Sequence, residues 1–277
     1  TSTTNTSNQT WDIPNNWWND EDIETQTYTG LQRQANARKY FVPRPYSASV
    51  SAGKGPNYAC TTNPITPLQD VTTDDGREAV LDAIDAMQPT SMTNVPEGIA
   101  WGWRTVSSRA PFTGGRPEDE KGNDKVVIIL TDGSNTYTDL GSTDPAGNKS
   151  GYQAYGYVGR NVPGESDPRL FMGTSSDISR SDYSGSNYSD ALDEHMANVC
   201  NNMKVTDEMI VFTIALNLNA TNDASQIAGL QSCASESKFR KNADGSMKKL
   251  YWNSNGNDLM DVFKAIADEL SNLRIVG

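Results

Sequence analysis

The segment DKVVIILTDGSN, residues 124–135, constrains the fold more than any other stretch of the chain. Its five successive apolar residues, 126–130, are mostly β-branched and are closed on both sides by polar residues. That is the pattern of a strand buried on both faces, and it predicts a central parallel strand. The strand runs out into Thr131, Asp132 and Gly133. Open α/β sheets gather their ligands at the carboxyl ends of strands, so the Asp132 carboxylate on a flexible turn is a candidate contact group. Asp-Gly after an apolar run is also ordinary turn chemistry, and the neighbouring segments have to decide between the two.

A chain of 277 residues holds one large domain or two small ones with a substantial core. Hydrophobic content of 35% and a mean hydropathy of −0.63 are low for a compact domain, which implies a good deal of exposed loop. No apolar run approaches the roughly 18–20 residues that a membrane-spanning helix needs. The formal charge of −12 argues against nucleic acid or an anionic membrane as partner, because phosphate binding needs clustered Lys and Arg. Cation binding is more compatible. The chain opens without a basic region followed by an apolar one, so it reads as a mature or excised fragment with neither signal nor anchor.

Residues 1–57 are rich in Thr, Asn, Ser and Pro, with Trp11, Trp17 and Trp18 among polar neighbours. They read as an irregular segment whose tryptophans pack on the main domain, and YFVPRPYSASV from Tyr40 offers a short edge strand. From Thr73 the period becomes helical. Asp75 and Glu78 resemble a capping box, and Val80, Ile84 and Met87 share one face. A second helix repeats the box with Asn94 and Glu97, carries Pro96 in its first turn, and has Ile99, Trp103 and Val106 as its buried stripe. Gly98 and Gly102 would let it lie close to its neighbour.

After the strand, residues 139–187 lack periodicity over a length that usually marks a functional surface loop or disorder, and their tyrosines with Phe171 favour a loop packed on the domain. Periodicity returns with Ser189 as N-cap and Leu192, Met196, Val199 and Met203 on one face. A fully buried strand at 209–216, a short helix from about Asp223 with Ile227 and Leu230, a weaker strand at 249–252 and a last helix with Leu259, Phe263, Ile266 and Leu270 complete the alternation. The fold class is therefore α/β, a doubly wound, mostly parallel sheet flanked by helices.

Catalytic signatures are missing from the sequence. His195 is the only histidine, on the flank of an apolar helix face, and there is no G-x-S-x-G elbow, paired-carboxylate spacing or H-E-x-x-H motif. Ser134 has no base nearby in sequence. The expectation is a protein that is not an enzyme, with an extracytoplasmic hydrolase as the remote alternative.

Taken in order, TTNPITPLQD, TNVPEGIAWGWRTVSS, KVVIILTDGSNT, EMIVFTIAL, LQSCAS and DVFKAIADELSNLRI resemble the TadG-like proteins of bacterial tight-adherence (Flp) pilus assembly. EGIAWGWR is the most specific of these segments. The resemblance covers residues 40–277 and implies a von Willebrand factor A-like domain over 58–277, with the 139–187 loop as an insertion. It also implies a membrane-anchored parent protein whose extracytoplasmic part, in the periplasm or cell envelope, is a binding or scaffold domain for other pilus-assembly proteins or pilin.

In the wider fold a metal-ion-dependent adhesion site combines DxSxS after the first strand with a threonine and an aspartate from two later loops. By position these are Thr93 and Asp132, a hydroxyl and a carboxylate suited to Mg²⁺ or Ca²⁺, with Ser134 and Asn135 as partner-binding neighbours. No DxSxS follows an apolar strand in this sequence. Either the first strand lies in an upstream portion of the parent protein or another segment replaces it; the metal site is incomplete, and a structural module with a degenerate site is the milder alternative. On the same scheme Cys200 and Cys233 flank one strand and form a disulfide or remain two buried thiols, while Cys60 pairs elsewhere or stays free.

Overall fold

A computed structural model describes residues 63–88, 92–140, 148–161 and 164–276. In chain order the elements are helix α1 (Asp74–Asp85), helix α2 (Val95–Val106), strand β1 (Val126–Thr131), a 3-10 turn (Arg169–Phe171), helix α3 (Gly185–Thr206), strand β2 (Ile210–Leu216), helix α4 (Ala224–Cys233), strands β3 (Glu236–Lys241), β4 (Met247–Lys249) and β5 (Tyr251–Ser254), and helix α5 (Leu259–Val276). The expectations for Trp11, Trp17, Trp18, the strand from Tyr40 and Cys60 lie outside the described residues.

The described residues divide into two compact units. One comprises Ile65–Ile84, Thr93–Asn135 and Leu192–Gly277, and the other includes Thr136–Ala191. The first is built on a parallel sheet in the order β1-β2-β5, with Val126 beside Ile210, Thr131 beside Ala215, and Leu216 beside Ser254. Alternate side chains leave a strand on opposite faces. From β1 and β2, Val127, Ile129, Val211 and Ala215 go to one face, where they pack with Ile99 of α2, Met196 and Met203 of α3 and Leu230 of α4. Phe212 and Ile214 go to the other face and meet Val262 and Ile266 of α5. Strand β2 is thus covered on both sides, which is why its sequence is apolar at successive positions rather than alternate ones.

Strand β1 departs from the expectation of a central strand. Among the described residues it pairs only with β2 and forms the edge of the sheet. Val127 and Ile129 are buried on the helix side, whereas Ile128 and Leu130 are 42% and 44% exposed. Its apolar run therefore reports a strand whose second face is covered only in part, at Val126, and whose second edge is unpaired among the described residues.

Helix starts follow side-chain oxygens. Asn94 caps α2, its Oδ1 accepting from the Glu97 N–H at 3.1 Å, while the Glu97 carboxylate accepts from Trp101 Nε1 at 2.7 Å instead of closing a box. For α1 the cap is Thr73, whose Oγ1 accepts from the Gly76 N–H at 3.1 Å, rather than Asp75. Helix α3 begins at Gly185, before Ser189. Of the paired glycines only Gly102 lies against β1; a methyl group there would sit 3.6 Å from Val127 Cγ1, and one at Gly98 would meet nothing within 4 Å. The antiparallel pair β3-β4 was not foreseen, because its polar and basic residues show no apolar alternation.

Cys200 of α3 and Cys233 at the end of α4 form a disulfide with Cα atoms 5.2 Å apart, both buried in the core. Such bonds persist in oxidising compartments. No helix among the described residues is long and apolar enough to cross a membrane.

The unit containing Thr136–Ala191 has a small core of its own. Tyr137, Val158, Leu170, Phe171, Ile178 and Tyr188 are buried in it. The hydroxyl of Tyr137 donates to the Gly156 carbonyl at 2.6 Å and that of Tyr188 to the Lys149 carbonyl at 2.8 Å. Buried aromatic rings with satisfied hydroxyls thus order most of a stretch that has no regular period.

Candidate binding rim at the carboxyl end of the sheet

Strand β1 ends on a buried Thr131 whose hydroxyl donates to the Gly133 carbonyl at 3.0 Å. This closes the turn and leaves Asp132 exposed. The next two side chains turn inward. Ser134 Oγ donates to Asp223 Oδ1 at 2.8 Å, and Asp223 Oδ2 accepts from the Asn219 N–H at 2.9 Å. These two interactions, the Asn219 N–H first, hold the Asp223 carboxyl below its ordinary range against a smaller opposing effect of burial.

Asn135 is 1% exposed and joins three helices. Its Oδ1 accepts from the N–H of Val95 at 2.9 Å, one of the donors that the first turn of α2 cannot satisfy internally. Its Nδ2 donates to Asp193 Oδ1 of α3 at 2.8 Å and to Gln226 Oε1 of α4 at 3.2 Å. Asp193 also accepts from Ser225 Oγ at 2.7 Å. A buried amide with this many partners fixes where the start of α2 lies relative to the β1 turn.

Thr93, two residues before that start, is half-buried against the turn, and a methyl group on Gly133 would lie 3.5 Å from its Oγ1. Any β-carbon at position 133 would thus be in contact with the Thr93 hydroxyl.

Of the four residues expected to act together, Thr93 and Asp132 therefore border one turn at the carboxyl end of β1. Ser134 and Asn135 share that turn in another capacity. The hydroxyl of the half-buried Ser134 is engaged by Asp223, and Asn135 is buried and hydrogen-bonded to three helices, so its amide supports the turn from beneath. Asp193, Asp223 and Gln226 were missed. Asp223 was legible only as the start of a helix, and the buried Gln226 carries no local signal.

Thr93 and Asp132 by themselves do not make a metal site. Mg²⁺ takes six oxygen ligands and Ca²⁺ six to eight. Among the described residues no group of three or more His, Cys, Asp or Glu side chains is arranged to hold an ion. The two oxygens suit a hard cation in kind but fall short in number.

Beside the rim a groove of about 350 Å³ lies between β1 and α2, bounded by Thr93, Val95, Gly98, Ile99 and Gly102 from the α2 side. Residues 127–131 of β1 line its other side. No protein-family model matches the chain, no curated protein matches it, and no solved structure matches it.

Proposed function

We propose that the sheet unit is a von Willebrand factor A-like binding domain of a tight-adherence pilus-assembly protein, working outside the cytoplasm, and that it recognises protein through the rim at Thr93 and Asp132. The observation that carries this reading is the Asn135 network. A buried amide that ties three helices to one strand-end turn holds an exposed carboxylate and a half-buried hydroxyl in fixed relation. Rigid support beneath exposed polar groups is what a recognition surface requires. The hydroxyls that share the turn with Asp132 are already engaged, Thr131 by the Gly133 carbonyl and Ser134 by the Asp223 carboxylate.

The open edge of β1 supports the same reading. A parallel strand that has one edge unpaired among the described residues, and two exposed apolar side chains, accepts a further strand. In a von Willebrand factor A-like sheet that place belongs to the strand carrying DxSxS, and such a strand would bring the oxygen ligands that Thr93 and Asp132 lack. In the dication form of this proposal, Mg²⁺ or Ca²⁺ is held only once that strand is paired.

The test is retention of the pilin and the other assembly proteins of the same organism on the immobilised domain, with and without Mg²⁺. Asp132→Ala is expected to abolish retention while leaving the circular dichroism spectrum and melting temperature unchanged. Undiminished retention by that variant would overturn the assignment of the rim.

A further inference from the structure

Two features of the sheet unit take no part in the rim. The first is a basic arm on an acidic chain. Five of the 23 basic residues, Lys238, Arg240, Lys241, Lys248 and Lys249, fall within twelve positions. Strands β3 and β4 present them on a stiff hairpin, in which the Asn242 N–H donates to the Ser246 carbonyl at 2.8 Å and Asp244 Oδ1 accepts from the Ser246 N–H at 2.9 Å. Gly245 supplies the φ of 87° that the turn needs. Arg240 is committed, with Nε donating to Glu269 Oε2 at 2.9 Å and its guanidinium 4.8 Å over the Trp252 ring. Lys249 lies 3.7 Å from Glu236. Lys238, Lys241 and Lys248 are exposed, and among the described residues no carboxylate pairs with them.

The second feature is one side of α1, a helix that is exposed over most of its length. Asp75, Glu78 and Asp82 recur at i, i+3 and i+7, so they form one ridge on the helix. All three are exposed, and the ion pair within the helix, Arg77 with Asp74, leaves them out. The less exposed positions of α1, Gly76, Val80 and Ala83, lie on the other side.

We infer that the β3-β4 hairpin of one copy docks on the Asp75–Glu78–Asp82 ridge of a second copy. A chain of charge −12 repels its own kind over most of its surface. Contact is favoured where the basic arm of one molecule meets carboxylates on the next, and the α1 ridge sets three of them in one row on a single helix. Exposed lysines are point charges suited to separate carboxylates. A polyanion such as nucleic acid or an anionic membrane is disfavoured instead by the net charge of −12 around the hairpin. Because the two patches differ, the contact is heterologous and adds copies head to tail. It stands apart from the rim and does not depend on what the rim binds.

Sedimentation velocity of the 277-residue chain at about 20 mM and about 500 mM salt tests it, since the higher value screens exposed charges within a few ångströms. Association is expected at low salt and its loss at high salt. Lys238→Glu combined with Lys241→Glu and Lys248→Glu should leave a monomer at low salt, and so should Asp75→Lys with Glu78→Lys and Asp82→Lys. An equimolar mixture of the two triple variants, each confirmed as folded by circular dichroism, should associate again, because each supplies the charge the other has lost. A wild-type chain that stays monomeric at low salt, variants that associate as the wild type does, or a mixture that stays monomeric would each overturn the contact.

Discussion

At the scale of single residues, Asn135 and Asp132 separate support from contact. Removing the Asn135 amide takes the acceptor from the buried Val95 N–H and one donor each from Gln226 and Asp193, which keep the Asn135 backbone N–H and Ser225 respectively. Unsatisfied buried groups are costly, so Asn135→Ala is expected to lower stability by about 2–3 kcal/mol in urea unfolding. Asp132→Ala removes an exposed side chain and should change stability by less than about 0.5 kcal/mol. Equal losses at the two positions would mean that the turn is organised differently. Thr93 and Asp132 were legible in the sequence because each sits in a local pattern, ahead of a helix cap and after an apolar strand. The role of Asn135 was not, since its partners Asp193 and Gln226 lie 58 and 91 positions away.

At the scale of elements, β1 is one-sided. Ile129 packs against helices and Ile128 does not, so Ile129→Ala should cost about 2–4 kcal/mol and Ile128→Ala less than about 1 kcal/mol, measured by thermal or urea unfolding. Similar costs would restore the central strand that the apolar run suggested. The disulfide between α3 and α4 closes a separation of 33 residues, for which the chain-entropy account gives about 3–4 kcal/mol. Cys200→Ser is expected to lose about that much, and the denatured, unreduced protein should present at most one reactive thiol out of three cysteines. The face of α3 was readable from its period, with Leu192, Met196 and Met203 all buried, whereas the expected faces of the first and last helices hold only in part, since Ile84, Met87 and Phe263 are exposed. Helix starts were less so, because Thr73, Asp75 and Ser189 are all acceptable caps in isolation and tertiary packing chooses among them. The β3-β4 hairpin escaped notice because lysines and a polar turn replace the apolar alternation by which strands are recognised.

At the scale of the whole molecule, carboxylates set the response to acid. Glu118 is held well below the usual carboxylate range, first by the Lys125 ammonium at 2.9 Å and next by the Ser108 hydroxyl, with burial opposing. Asp223 is lowered as well, through Asn219 and Ser134. A carboxyl whose pKa is depressed in the folded state binds its proton more readily when unfolded. The stability it contributes is then complete above the unfolded value of about 4 and is lost as pH falls through the folded one. The melting temperature should be flat from about pH 6 to 8 and fall below about pH 4.5, and Glu118→Gln should lower the plateau and shallow the decline. An unchanged slope in that variant would remove Glu118 from the account. The alternation of strands and helices made the parallel α/β sheet legible at this scale. The division into two units and the place of β1 at the edge of the sheet among the described residues were not, because both depend on which segments are neighbours rather than on what any segment contains.

The claim beneath the rest is that the threonine before α2 and the turn after β1 form one rim. An engineered pair, Thr93→Cys with Gly133→Cys in a Cys60→Ser background, measures this directly, because a β-carbon at 133 lies 3.5 Å from the Thr93 hydroxyl position. Mild oxidation followed by mass spectrometry of the digested chain should find residues 93 and 133 joined by a new disulfide. Two thiols that stay free under conditions that leave the Cys200–Cys233 bond intact would contradict it.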